Sequence, residues 1–282
     1  MKKGLIMEGG AMRGMFTTGI LDVFMEHGIE FDGAIGVSAS AAFGCDFKSK
    51  QSGRVIRYNL RYSRDKRYSG FRVFLKTGNY FSKDFCYHDI PTKYDIFDFD
   101  AYEAHPMEFY VVVTDVDSGK AVYHNYTGRQ DHGFEWIRAS SSMPLVSQLV
   151  EIDGHRYLDG AISDSIPVEF FESIGYDRNI VILTQPPEFR KTKNKLLPLI
   201  KRCYKKYPNM IQTLAKRHER YNQSLDHIRQ QEEAGNLLVI RPSEKLPIGR
   251  VEKNPEVLRK VYEIGRQTAE TRLDEIRKYL NQ

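Results

Sequence analysis

The sequence predicts an α/β fold: a mostly parallel central sheet flanked by helices, with a helical C-terminal extension. Three observations carry that expectation. Strand, turn and helix follow one another twice within residues 4–47. Two hairpin signals occupy the middle of the chain. Two long helical patterns fill its last third. The 282 residues, 41% hydrophobic and 28% charged, have an ordinary globular balance and are enough to bury a sizeable core.

The first strand is the apolar run at residues 4–8, ending in a glycine turn at residues 9–14. Phe16, Ile20, Leu21, Phe24 and Met25 then recur at helical spacing, and Gly28 fits the stop. Residues 31–37 form a second strand and residues 39–47 a second helix. Further on, residues 109–116 and 121–126 flank Asp117-Ser118-Gly119, a hairpin turn. A helix is expected at 134–140. A second hairpin pairs 149–152 with 157–158 across Asp153-Gly154, and residues 180–184 supply a last core strand. After Gln185-Pro186-Pro187 the composition shifts, which places a boundary near residue 188. Residues 1–188 form the α/β unit. Residues 189–282 form an extension packed on it, with helices at about 209–234 and 255–280 around a strand at 237–240.

The net charge of +5 is mild and gives no reason to expect nucleic acid. Its distribution is more telling. Residues 48–76 carry many Lys and Arg with Asp65 as their one acid, and residues 190–220 do the same with Glu219. Tyr58, Tyr62, Tyr68, Phe71 and Phe74 interleave with the first run, and Leu196, Leu197, Leu199, Ile200, Tyr204 and Tyr207 with the second. Such a pattern suits peripheral contact with an anionic membrane, or else ordinary amphipathic helices packed on a core. Cys45, Cys86 and Cys203 are odd in number and form no CxxC pair, so a reducing compartment is expected. The apolar run after Met1-Lys2-Lys3 is too short for a signal peptide, and no stretch approaches the roughly 20 apolar residues of a bilayer span. A cytoplasmic location, with peripheral membrane contact, follows as an expectation.

Three motifs carry chemistry. Gly36-Val37-Ser38-Ala39-Ser40 sits between a strand and a helix, the setting in which a serine Oγ is held out as a nucleophile. A helix N-cap is the rival role for Ser38. Glu8-Gly9-Gly10-Ala11-Met12-Arg13-Gly14 is a glycine turn whose N–H groups could converge on an oxyanion. A dinucleotide loop would want glycine where Ala11 stands and an acid at the end of the next strand, whereas Glu30 and Asp32 precede it. Asp159-Gly160-Ala161 closes the second hairpin and offers the base a serine nucleophile needs.

In this order and spacing, the three motifs resemble those of the patatin-like phospholipases, and Arg138-Ala139-Ser140-Ser141-Ser142-Met143-Pro144 is similar to the stretch before that family's catalytic aspartate. The resemblance spans roughly residues 4–185. It implies a three-layer sandwich and a lipid or ester substrate. Ser38 would be the nucleophile and Asp159 the base of a dyad. Gly9, Gly10, Ala11 and Arg13 would hold the oxyanion, with Gly14, Gly36, Ser40 and Gly160 shaping the motifs. No cofactor and no metal are implied. Ala11 and Ser40 depart from family glycines, which leaves a non-catalytic lipid-binding relative as the alternative, and a phosphate-binding use of the 9–14 loop as a weaker one.

A histidine base would have to follow Asp159 in an α/β-hydrolase order. His218 and His227 lie in a highly charged helical pattern that a solvated face explains. His155 belongs to a hairpin tip. His218-Glu219 misses the metalloprotease pattern because Asn222 stands at the second histidine position.

Overall fold

In the computed structural model, which describes residues 1–281, strand β1 (Lys2–Met7) is buried from Gly4 onward on both faces. Leu5 and Met7 point into one core and Ile6 into another, so period-2 alternation divides the molecule into three layers. The remaining strands are β2 (Gly33–Val37), β3 (Glu108–Asp115), β4 (Ala121–Asn125), β5 (Val150–Ile152), β6 (His155–Asp159), β7 (Tyr176–Ile182) and β8 (Leu237–Ile240). Their order is β5-β6-β3-β2-β1-β7-β8, with β4 paired to β3. β3, β2, β1, β7 and β8 run parallel, and the hairpin strands β4, β5 and β6 are antiparallel.

The helices are α1 (Gly14–Glu26), α2 (Ala39–Lys48), α3 (Arg54–Tyr62), α4 (Phe71–Thr77), α5 (Phe99–Ala104), α6 (Glu135–Ser140), α7 (Val168–Ser173), α8 (Leu197–Cys203), α9 (Pro208–Ala215), α10 (Arg217–Glu233), α11 (Pro255–Glu270) and α12 (Leu273–Leu280), plus a π-helical stretch at Phe85–Tyr94. α1, α2, α3, α11 and α12 cover the Leu5 face, while α7 and α10 cover the Ile6 face. A third cluster, built on Val116, Leu158 and Ile162, lies under α8 and α9. Among the described residues, no helix is long and apolar enough to cross a membrane.

Two expected helices are each broken. The 209–234 pattern splits at Lys216, where the Arg217 side chain turns to the Ala161 carbonyl and Arg220 donates to the carbonyls of Ile162, Ser163 and Thr213. The 255–280 pattern splits after Glu270, where Arg272 reaches the Val239 carbonyl at 2.6 Å. In both places an arginine serves backbone acceptors outside its own helix, which periodicity does not register. α3 and α4 also divide the 48–76 run. Tyr58, Tyr62 and Tyr68 are core, and Arg54 is buried against Asp46 at 2.7 Å, so this part is an amphipathic helix packed inward. Phe71 and Leu75 on α4 stay about 70% exposed (70% and 69%).

The extension is woven into both layers. β8 extends the sheet beside β7, and α11 crosses α1 at close range. The approach depends on two glycines: a Cβ on Gly265 would run into the Phe16 carbonyl, and one on Gly19 into the Tyr262 carbonyl. Tyr262 adds a 2.8 Å bond from its hydroxyl to buried Asp22. Replacing Gly265 with Val therefore forces the helices apart. The overpacking cost of about 1–3 kcal/mol exceeds the gain in helix propensity of under about 1 kcal/mol. Urea unfolding should show a lower midpoint for Gly265→Val; an unchanged midpoint would mean that the helices do not meet through glycine.

Candidate active site

Ser38 stands at the single-residue turn from β2 into α2, with φ 59° and ψ −128°. L-residues seldom take that conformation, and holding it costs on the order of 1–3 kcal/mol. Three contacts offset the strain. Gly36 lets α2 fold back: a Cβ there would sit 2.7 Å from Ala41 Cα. Ser38 N–H donates to Ser140 Oγ at 2.8 Å, and Ser140 donates onward to the Val112 carbonyl at 2.7 Å. Ser40 is fully buried and donates to the Glu8 carbonyl at 2.6 Å. Ser40 thus ties the elbow to the strand end beside it, with its hydroxyl proton committed to that carbonyl. Ser140→Ala would strand the Ser38 N–H and the Val112 acceptor, at a cost of about 1–3 kcal/mol for an unpaired buried group. The expected result is a lower melting temperature with a reduced rate of Ser38 labelling. An unaltered labelling rate would show that the elbow holds itself.

Asp159 arrives through the register of β3. Val112 pairs with Val37, the residue before Ser38, and the next residue, Val113, pairs with Asp159. One strand therefore serves as the rail on which both side chains are set, a single residue rise of about 3.3 Å apart. Gly160 is needed at this crossing, because a Cβ would strike the Val112 carbonyl. Ser38 Oγ donates to Asp159 Oδ2 at 2.7 Å, and the Ala161 N–H donates to Oδ1 at 2.8 Å. Asp159 is completely buried, and burial pushes its carboxyl up to about 6 against the pull of those two donors and of Arg217.

The 9–14 turn lies against Ser38 and shares a cavity with Asp159. Gly9 packs on Val37 and Ser38, Gly10 on Thr184, and Gly14 on Phe43. The Gly9 N–H reaches the Ser165 carbonyl at a long 3.4 Å, whereas the N–H groups of Gly10 and Ala11 have no protein acceptor among the described residues. Ala11 has φ 49°, a left-handed conformation that explains why the family motif wants glycine there and why the smallest side chain is the one tolerated. Arg13 donates to Thr184 Oγ1 at 3.3 Å. Thr184 in turn donates to buried Glu8, which also accepts from Tyr221 at 2.6 Å.

Ser38 and Asp159 open into a cavity of about 540 Å³, within the usual size range of small-molecule sites. Its apolar wall includes Phe43, Tyr58, Tyr68, Phe81, Ile90, Phe134, Ile137 and Met143. No histidine lines it among the described residues; His227 bonds Glu172 and His155 faces Asp115 at the surface. Among the described residues, no cluster of His, Cys, Asp and Glu is arranged to hold a metal. Lys191, Arg217 and Arg250 also line the cavity. Sequence reading missed them: Lys191 and Arg217 sit inside a basic run, where a side chain carries no mark of facing inward, and Arg250 belongs to no motif.

The patatin-like phospholipase family model matches residues 5–171. The chain belongs to this family. The patatin-like match ends before α8, and a separate family model described as a domain of unknown function (DUF6363) covers residues 207–281. Curated relatives of this patatin-like chain include the uncharacterized protein YjjU of Escherichia coli (strain K12), 29% identical over 67% of the chain and 53% of YjjU. Lysophospholipase NTE1 of Chaetomium globosum is 26% identical over 62% of the chain and 11% of that protein. Neuropathy target esterase sws of Drosophila melanogaster is 25% identical over 64% of the chain and 12% of its own length. The chain thus spans about half of YjjU and about a tenth of the two larger relatives. The crystal structure of VipD from Legionella pneumophila aligns with 97% of the chain and 67% of VipD at 11% identity and a TM-score of 0.47.

Proposed function

We propose that this patatin-like protein is a lipid acyl hydrolase that cleaves carboxylic esters through a Ser38–Asp159 dyad. The observation that carries the reading is the 2.7 Å bond from Ser38 Oγ to a buried carboxylate at the mouth of an apolar cavity. A carboxyl poised near 6 is ionised at neutral pH yet basic enough to take the serine proton. Ser38 Oγ attacks the ester carbonyl as its proton passes to Asp159 Oδ2. The N–H groups of Gly10 and Ala11, with the positive start of α2, face the developing oxyanion, and Arg13 adds charge nearby. Collapse of the tetrahedral species breaks the C–O bond, and Asp159 returns the proton to the leaving alcohol. Water then repeats the cycle on the acyl-Ser38 ester. The chemistry calls for no cofactor.

The aromatic and aliphatic wall suits an acyl chain, whose burial contributes about 0.8 kcal/mol per methylene. Val146, Leu196 and Val251 line the cavity while remaining exposed, and Phe71, Leu75 and Leu199 add exposed apolar surface among lysines and arginines. That combination supports peripheral docking on an anionic membrane. In this reading residues 1–188 supply the dyad, and the extension 189–282 completes the cavity wall with Lys191, Leu196, Arg217, Arg250 and Val251.

The deciding experiment is intact-mass analysis after a fluorophosphonate probe, alongside assays for fatty acid release from lysophospholipid and monoacylglycerol. One adduct mapped to Ser38 together with fatty acid release supports the hydrolase. A protein that is neither labelled nor active on either ester is a binding protein.

A further inference from the structure

The cavity that holds Ser38 also gathers positive charge. Arg13, Lys191, Arg217 and Arg250 all line it. Their side chains make no ion pair among the described residues: Arg13 is held by Thr184, Arg217 by the Ala161 carbonyl, and the Lys191 ammonium lies 4.0 Å over the Tyr221 ring. Lys191 itself is fixed in place. Its backbone N–H donates to Asn222 Oδ1 at 2.9 Å and its carbonyl accepts from Asn222 Nδ2 at 3.1 Å. Arg250 is joined to the glycine loop, its carbonyl accepting from Met12 N–H at 3.4 Å. Two carboxylates lie on this side, and both are already engaged: Glu8 with Thr184 and Tyr221, and Asp159, whose charge Arg217 feels, with Ser38 and the Ala161 N–H. By contrast, Arg138, Arg266 and Arg272 each have an acidic partner within salt-bridge distance. Uncompensated cations in a cavity are costly unless an anion joins them.

We propose that Arg13, Lys191, Arg217 and Arg250 form a subsite for the phosphate of a phospholipid or lysophospholipid whose acyl ester is presented to Ser38. The proposal rests on the acyl-hydrolase reading for its orientation but not for its charge. Three of the four cations lie outside the matched span 5–171, so the subsite is a contribution of the C-terminal extension. Burial, then repulsion from Arg217, Arg13 and Arg250, pulls the Lys191 ammonium down to about 7 despite Glu8. An arriving phosphate reverses that repulsion, and the Tyr221 face beneath Nζ keeps the ammonium aimed at the cavity.

The test compares lysophosphatidic acid or lysophosphatidylglycerol with monoacylglycerol of the same acyl chain. Hydrolysis by the full chain gives the ratio of kcat/KM, anionic over neutral. Binding of each lipid to the non-hydrolysing Ser38→Ala protein gives the same comparison without turnover. Lys191→Met and Arg250→Met should each lower both ratios, by about 10-fold or more for Lys191→Met, as expected for loss of a charge-assisted bond. Inorganic phosphate should compete with the lysophospholipid weakly, at millimolar levels. If the full chain hydrolyses both lipids and the variants leave the ratios unchanged, the hydrolase stands and the subsite falls. If nothing is hydrolysed but the binding preference disappears in Lys191→Met, the subsite stands and the hydrolase falls. Inorganic phosphate binding as tightly as the lysophospholipid would make the ligand a free phosphate ion and overturn the lipid assignment.

Discussion

Ser38→Ala should abolish covalent labelling by a fluorophosphonate and lower ester turnover by at least ~10⁴-fold, because the attacking oxygen is gone and no neighbour replaces it. Ser40 is the only hydroxyl close enough in sequence to confuse the result, and it is buried with its proton committed to the Glu8 carbonyl. The substitution should barely disturb the fold. Alanine occupies the unusual backbone conformation about as well as serine does, the Ser38 N–H keeps its bond to Ser140, and one hydrogen bond worth about 1 kcal/mol is lost. Removing the hydroxyl donor also leaves the Asp159 charge with one hydrogen bond, from the Ala161 N–H, beside the field of Arg217, so its carboxyl should titrate still higher than about 6. Labelling that persists in Ser38→Ala, mapped by peptide mass to another residue, would sink the nucleophile assignment. A fold that collapses would instead show that the hydroxyl is structural.

Much of the fold was legible because local and global signals agreed. Within the strands expected at residues 4–8 and 31–37, residues 4–7 and 33–37 are free of polar side chains and show no alternation, as parallel strands covered on both faces must be, and β1 (Lys2–Met7) and β2 (Gly33–Val37) lie there. The Asp-Ser-Gly and Asp-Gly turns marked the β3–β4 and β5–β6 hairpins. Less visible was why Ser38 and Asp159 meet. Their motifs lie 121 residues apart, and it is the pairing of successive β3 residues with β2 and β6 that joins them. Register of that kind is a tertiary property with no local sequence mark. Ser140 is similar: its hydroxyl holds the elbow from α6, yet one serine among three consecutive serines does not announce which one turns inward. The segment 54–104 hid its helices because they are short, α3, α4 and α5 running over 9, 7 and 6 residues, and because Phe85–Tyr94 winds as a π-helix around Pro91 rather than with the α-helical period. Lys191 and Arg217 were concealed by the basic runs around them, since composition reports the charge of a segment and not the direction of a side chain.

Asp159→Asn should separate catalysis from stability in opposite directions. The amide cannot accept the Ser38 proton, so turnover should fall by about 10³-fold or more, at the strong end of general-base effects. Stability should rise. Burial holds the Asp159 carboxyl up at about 6 in the folded chain against an ordinary carboxylate value of 3.8, so the fold prefers the protonated form. A group displaced in this direction contributes its full stability below about pH 3.8 and loses it as pH climbs through about 6. At neutral pH the fold therefore carries a burial cost for this anion of about 3 kcal/mol as an upper order of magnitude. Asparagine removes the charge while keeping an oxygen for the Ala161 N–H, so Asp159→Asn should be the more stable protein at pH 7.5 and gain little at pH 4. On the proposed dyad, the same displacement sets the pH profile expected of the unaltered chain. The base works only when ionised, so kcat/KM should fall about tenfold per pH step below about 6. Thermal melts at the two pH values and a pH–rate profile check all three statements. An Asp159→Asn protein that is destabilised at pH 7.5 and still turns over ester would recast Asp159 as a structural cap for the turn at Gly160–Ile162, whose N–H it also holds. Higher stability with lost activity would instead mean that the buried carboxylate is kept against its energetic cost because the serine needs a base there.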